Sequence, residues 1–176
     1  MKKALIVVDY QKDFVNGSLG FPKAETLDEA IAAKIREYRS SGGDIIVTLD
    51  THAENYLETQ EGKNLPVVHC VRGTGGWDLF GETAKQIRET DRNFEKGTFG
   101  SLALAEYLKE QGYEQVELVG VVSNICVISN AVLAKAALPE SLIVVDAACT
   151  GSSDDAMNEK ALDVMDGLQI KIINRR

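Results

Sequence analysis

The chain has 176 residues, 44% of them hydrophobic and 26% charged. That is the balance of an ordinary soluble protein, and the length fits one domain, 1–176, around one core. The formal net charge of −8 argues against a nucleic-acid or anionic-membrane partner, since both require a basic patch. The apolar run Ala4–Val8 is too short for a signal-peptide core, and nothing approaches the ~20 apolar residues of a membrane span. Three cysteines, Cys70, Cys126 and Cys149, predict reduced thiols rather than a disulfide framework, and with them a cytoplasmic location.

In chain order, Ala4–Asp9 (ALIVVD) predicts a strand buried on both faces. Ala24–Ser41 carries Leu27, Ile31, Ile35 and Tyr38 near helical spacing and stops at Gly42-Gly43. Asp44–Asp50 predicts the second strand and Leu65–Cys70 (LPVVHC) the third. After a loop-rich stretch come a helix at Ser101–Gln111, a strand at Gln115–Val121 and a helix at Asn124–Ala137. A strand at Ser141–Asp146, a helix at Ser153–Gly167 and a strand at Gln169–Ile173 complete the pattern. Repeated βα units predict an α/β fold: a doubly wound, parallel, six-stranded sheet with helices on both faces. Ligands in such folds bind beyond the carboxyl ends of the strands.

Three features stand at those ends. Asp9 closes the first strand, where a carboxylate needs a partner or a task, or is a loop charge. Cys126 follows Gly120-Val121-Val122-Ser123-Asn124-Ile125, a strand, a tight turn and a helix start. A thiol there feels the positive end of the helix dipole, which favours the thiolate, and neighbouring N–H groups can hold an oxyanion; the alternative is a small buried hydrophobe. Lys96, in Asn93–Ser101, is a surface lysine unless it shares a cleft with Asp9 and Cys126. The third feature is Asp50-Thr51-His52. Residues i and i+2 of an extended segment point the same way, so this pair can share a divalent ion with the other histidine, His69. Glu58 and Glu61 lie between them. Imidazoles and carboxylates suit zinc or a similar ion. Gly73–Gly76 does not fit a dinucleotide fingerprint.

Four motifs in order resemble the isochorismatase-like cysteine hydrolase family, and within it the nicotinamidases. They are Ala4–Asp9 with Gln11-Lys12-Asp13-Phe14, then Asp50-Thr51-His52, then Glu95–Phe99, then Gly120–Cys126. The resemblance implies a catalytic triad of Asp9, Lys96 and Cys126 and a cis peptide between Val121 and Val122. It also implies an oxyanion hole from the amides of Val122 and Cys126. Phe14, Leu19 and Phe99 match positions that wall the substrate pocket. Asp50, His52 and His69 match metal ligands, with zinc first and iron or manganese as alternatives. The sequence departs from the commonest pattern, which has a further histidine; Glu61 has the better spacing to replace it, with Glu58 the alternative. A pocket tryptophan found in some relatives is absent, Pro66 lies in that region, and Trp77 is a candidate substitute. The implied activity is hydrolysis of nicotinamide through a cysteine thioester, in a homo-oligomer. The rival readings are a ureidoacrylate or N-carbamoylsarcosine amidase, which would not need the metal, and a non-catalytic binding module.

Overall fold

Strand β1 (Lys3–Val8) runs through the middle of the molecule, and its alternating residues feed two cores. In the computed structural model, which describes residues 1–175, Ala4, Ile6 and Val8 face one side, with Leu104, Leu108, Ala131, Leu162 and Met165. Leu5 and Val7 face the other, with Phe14, Ile31, Ile35 and Tyr38. A strand apolar on both faces is the signature of a sheet covered on both sides.

The other strands are β2 (Asp44–Asp50), β3 (Arg92–Lys96), β4 (Gln115–Val121), β5 (Leu142–Gly151) and β6 (Lys171–Ile173). They form one six-stranded sheet in the order β3-β2-β1-β4-β5-β6, parallel throughout. Short helices α1 (Lys12–Val15) and α2 (Pro22–Thr26) precede α3 (Asp28–Ser40). Helices α4 (Gln60–Asn64) and α5 (Gly81–Gln86) decorate the long β2–β3 connection. Helices α6 (Leu102–Gln111), α7 (Ile128–Ala137) and α8 (Asp155–Gly167) cover the face opposite α3. Among the described residues, no helix is long and apolar enough to cross a membrane.

The third strand is not where the sequence predicts it. Leu65–Cys70 is irregular: Pro66 has no N–H to give to a ladder, Val67 N–H turns back onto the Leu65 carbonyl, and Cys70 has φ +46°. The strand is Arg92–Lys96, which reads as a polar loop because it is the sheet edge and half exposed. The predicted helix 24–41 is two helices meeting at Leu27, and β5 runs five residues past its predicted end at Asp146, to Gly151. Gly120, at φ +107°, is required on two counts, since a Cβ there would also collide with the backbone of Val8.

Candidate active site

The carboxyl ends of β1, β2, β3 and β4 converge, because Val8 is in register with both Thr48 and Gly120, and Asp50 with Lys96. Asp9, just beyond β1, has φ +47°, and its N–H donates to the Thr48 carbonyl at 3.2 Å. The Thr48 hydroxyl donates to Asp9 Oδ1 at 2.6 Å, and Lys96 Nζ lies 2.5 Å from Asp9 Oδ2. Lys96 Nζ is also 3.7 Å from Cys126 Sγ and donates to the Thr98 carbonyl at 3.0 Å. Asp9, Lys96 and Cys126 are all buried, so the structure brings the three expected residues into one contact group.

Their electrostatics follow from that burial. Desolvation pushes the Asp9 carboxyl above the usual carboxylate range, and the Lys96 charge offsets this only in part. Burial disfavours the Lys96 ammonium, but the charges of Asp9, Cys126 and Asp50 hold it above the usual amine range. Burial first, and then the Asp9 charge, push the Cys126 thiol well above its usual range. The sequence argument expected the opposite, a thiolate favoured by a helix N-terminus. Cys126 lies in a π-turn, Ser123–Val127, and α7 starts only at Ile128, so desolvation outweighs the dipole. Burial therefore favours the neutral thiol at Cys126, beside the 2.5 Å contact of Lys96 Nζ with Asp9 Oδ2. The Val121–Val122 peptide is cis, as expected.

Beside this group, ligand atoms of Asp50, His52, Glu61 and His69 all lie within 4.8 Å of one another. Asp50 Oδ2 is 2.9 Å from His52 Nε2 and 3.3 Å from His69 Nε2. Glu61 Oε1, on α4, is 3.7 Å from both. His69 Nδ1 sits 2.8 Å from the Val67 carbonyl, an N–H contact that leaves Nε2 as the free ligand atom. Burial raises the Glu61 carboxyl and the Asp50 charge raises it further. Asp50 is held low despite its burial, by its contacts with the imidazoles of His52 and His69 and by the Lys96 charge. Two carboxylates and two imidazole nitrogens turned toward one point are a donor set that fits a divalent cation, which would relieve their repulsion. Glu58 is exposed on the preceding turn and lies outside the group.

Both groups open on one cavity of about 280 Å³, whose walls include Phe14, Leu19, Phe99, Asp50, His69 and Cys126. All three expected pocket residues therefore line it. With that geometry in place, comparison with known proteins is decisive at the family level. The family model described as "Isochorismatase domain" matches residues 3–175. The chain belongs to the isochorismatase family. It is 34% identical over 144 residues to an uncharacterised isochorismatase family protein, PncA, of Bacillus subtilis, covering 75% of this chain and 78% of that one. It is 31% identical over 173 residues to a nicotinamidase of Acinetobacter baylyi, covering 82% and 79%. The pyrazinamidase of Pyrococcus horikoshii, solved in complex with zinc, superposes with a TM-score of 0.87 at 26% identity, covering 99% of this chain and all of that one.

Within this isochorismatase fold the structure gives positions to residues whose part in the site the sequence did not define. Gln11, fully buried, clamps the Asp50 backbone: its amide Nε2 donates to the Asp50 and Trp77 carbonyls, and its Oε1 accepts the Asp50 N–H at 2.8 Å. Asn130 accepts the Ser101 N–H and donates to the Phe99 and Cys126 carbonyls, tying the Lys96 loop to the Cys126 turn. Nothing in an asparagine in the first turn of α7 marks that role in advance. Asp13 accepts the Cys70 N–H and so fixes the backbone beside His69. Trp77 does not replace the missing pocket tryptophan. Its indole donates to Thr51 and it packs in the core on the α3 side, while Leu65 occupies the pocket wall.

Proposed function

We propose that the protein is a nicotinamidase, converting nicotinamide and water to nicotinic acid and ammonia. The observation that carries this reading is that Asp50, Glu61 and His69 of the four-ligand group and Cys126 line the same cavity. A carboxamide on a pyridine ring presents a reactive carbon at one end and a ring nitrogen at the other, which matches a thiol and a cation site in one pocket.

Asp50, His52, His69 and Glu61 would hold the ion, and zinc suits the set, with iron or manganese as alternatives. When bound, it supplies an open coordination position for the pyridine nitrogen. Phe14, Leu19 and Phe99 enclose the ring.

The bond chemistry belongs to the triad. Asp9 accepts the proton of the Cys126 thiol, and the Lys96 charge favours the ionised form of Asp9 and stabilises the forming thiolate. The thiolate adds to the carboxamide carbon, and the amides of Val122 and Cys126 hold the oxyanion, each worth a few kcal/mol in such sites. Asp9 returns the proton to the nitrogen, the C–N bond breaks, and ammonia leaves a thioester. Asp9 then takes a proton from water, the hydroxide adds to the thioester carbon, and the thiolate departs and is reprotonated. Because the thiol rests protonated, Asp9 must act as a base in the first step.

The test is ammonia release by the purified protein from nicotinamide, pyrazinamide, ureidoacrylate and N-carbamoylsarcosine. The two pyridine or pyrazine carboxamides should dominate. A higher kcat/KM on either carbamoyl substrate would assign the site to that chemistry instead.

A further inference from the structure

Among the described residues, no arginine or lysine lines the cavity, and the carboxylates in its walls are Asp50, Glu61 and Asp154. Asp50 and Glu61 belong to the ligand group, where a divalent ion would offset both charges. Behind the walls, the buried Lys96 and Asp9 offset each other. Asp154 is left as the wall charge with no counter-charge in the cavity. Strand register places it. Gly151, the last residue of β5, is in register with Val121, so the chain leaving β5 runs beside the Val122–Cys126 turn. Asp154 caps α8, its Oδ1 accepting the Met157 N–H at 3.0 Å, and the residue is exposed at the cavity rim. The Lys23 stem lies against Gly151, but Lys23 is not a wall residue.

Resting on the nicotinamidase reading above, we infer that Asp154 is a specificity-determining residue: its charge admits neutral amides and disfavours carboxylates, the acid product among them. Hydrolysis turns a neutral carboxamide into a carboxylate at the end of the ligand that lies beside Cys126. The Asp154 charge repels that carboxylate and is indifferent to the amide it replaces. Product is therefore held less tightly than its charge-neutral precursor. The same repulsion acts on amides that carry a carboxylate of their own, as ureidoacrylate and N-carbamoylsarcosine do. The rim is open to water, which screens the interaction and limits it to a few-fold. Asp154→Asn isolates the charge, because asparagine keeps a cap acceptor for the Met157 N–H.

The experiment is calorimetry on the zinc-loaded protein with nicotinate and with 3-pyridinemethanol, the neutral alcohol of the same ring. Neither ligand has an amide to hydrolyse. Asp154→Asn should tighten nicotinate by about 2- to 5-fold and leave the alcohol within about 1.5-fold, the worth of one exposed charge pair. Unchanged alcohol binding also shows that the pocket is intact. Asp154→Ser, neutral and likewise a good cap, should give the same result. Unchanged nicotinate binding in both variants, or equal gains for both ligands, would overturn the inference while leaving the nicotinamidase reading standing. A zinc-loaded parent protein that binds neither pyridine would overturn that reading and the inference with it.

Discussion

Asp50 Oδ1 lies 3.4 Å from Lys96 Nζ, and the other oxygen of the same carboxylate lies 2.9 Å from His52 Nε2. Asp50 and Lys96 are register partners at the ends of β2 and β3, so this contact is set by the sheet itself. One carboxylate therefore borders both the ligand group and the triad. On the proposed reading the arrangement separates tasks, with binding and orientation on one side and bond chemistry on the other.

Replacing the nucleophile should abolish turnover without unfolding the protein. Cys126→Ala is expected to lower kcat by at least about 10³-fold, with far-UV circular dichroism unchanged. Cys70→Ala and Cys149→Ala should keep most activity, because both thiols are buried away from the cavity walls and burial raises both, Cys149 to about 12. Iodoacetamide at low excess should label Cys126 first. Turnover by Cys126→Ala would end the triad assignment.

The ligand group makes a distinction between two nearby glutamates. Glu61→Gln should weaken zinc affinity by about 10- to 100-fold, read by competition with a chromogenic chelator. Glu58→Gln should leave affinity unchanged, since Glu58 lies outside the group. His52→Ala should remove the ion and raise KM for nicotinamide more than it lowers kcat. Equal effects of the two glutamate variants would contradict this ligand set.

How much of this was legible beforehand depended on what each residue type announces. The buried strands β1, β2, β4 and β5 announce themselves by short, largely apolar stretches rich in β-branched residues. The edge strand Arg92–Lys96 does not, because half its surface is exposed and its residues are polar, whereas Leu65–Cys70 imitates a strand yet carries Pro66. Asp50, His52 and His69 are readable because histidine is scarce, at two in the chain. The roles of Gln11 and Asn130 depend on backbone groups distant in sequence, which no local pattern reveals. The direction of the Cys126 shift could not be read either, since helix position is visible in a sequence and desolvation is not.

The acid limb of kcat/KM should report Asp9. The base form is needed, so activity is lost as pH falls through the Asp9 folded pKa. That value is raised by burial, so the limb should lie above the ordinary aspartate value of about 3.9. It belongs to the coupled Asp9–Lys96–Cys126 group rather than to one residue alone. Lys96 is held above the usual amine range, so its deprotonation should cause no loss below about pH 10. The profile is measured with zinc in excess, to keep ligand protonation out of it. An acid limb at or below about 3.9 would contradict the assignment of Asp9 as the base.

Gly120→Ala should destabilise the protein by more than about 2 kcal/mol. The residue has φ +107°, and the added Cβ meets the Val8 backbone, immediately before Asp9. Urea denaturation measures the loss. A change within about 0.5 kcal/mol would show that the β1–β4 approach is not as tight as described.

The central claim is that one pocket holds a ring nitrogen on the Asp50–His52–Glu61–His69 side and a carboxamide at Cys126. The most direct measurement is the ratio of kcat/KM for nicotinamide to that for benzamide, which lacks the ring nitrogen, in zinc-loaded and chelated protein. The account predicts a preference for nicotinamide on the order of 100-fold or more when loaded, collapsing toward unity after chelation. Equal rates on the two amides in the loaded protein, or a preference that survives complete removal of the metal, would contradict it.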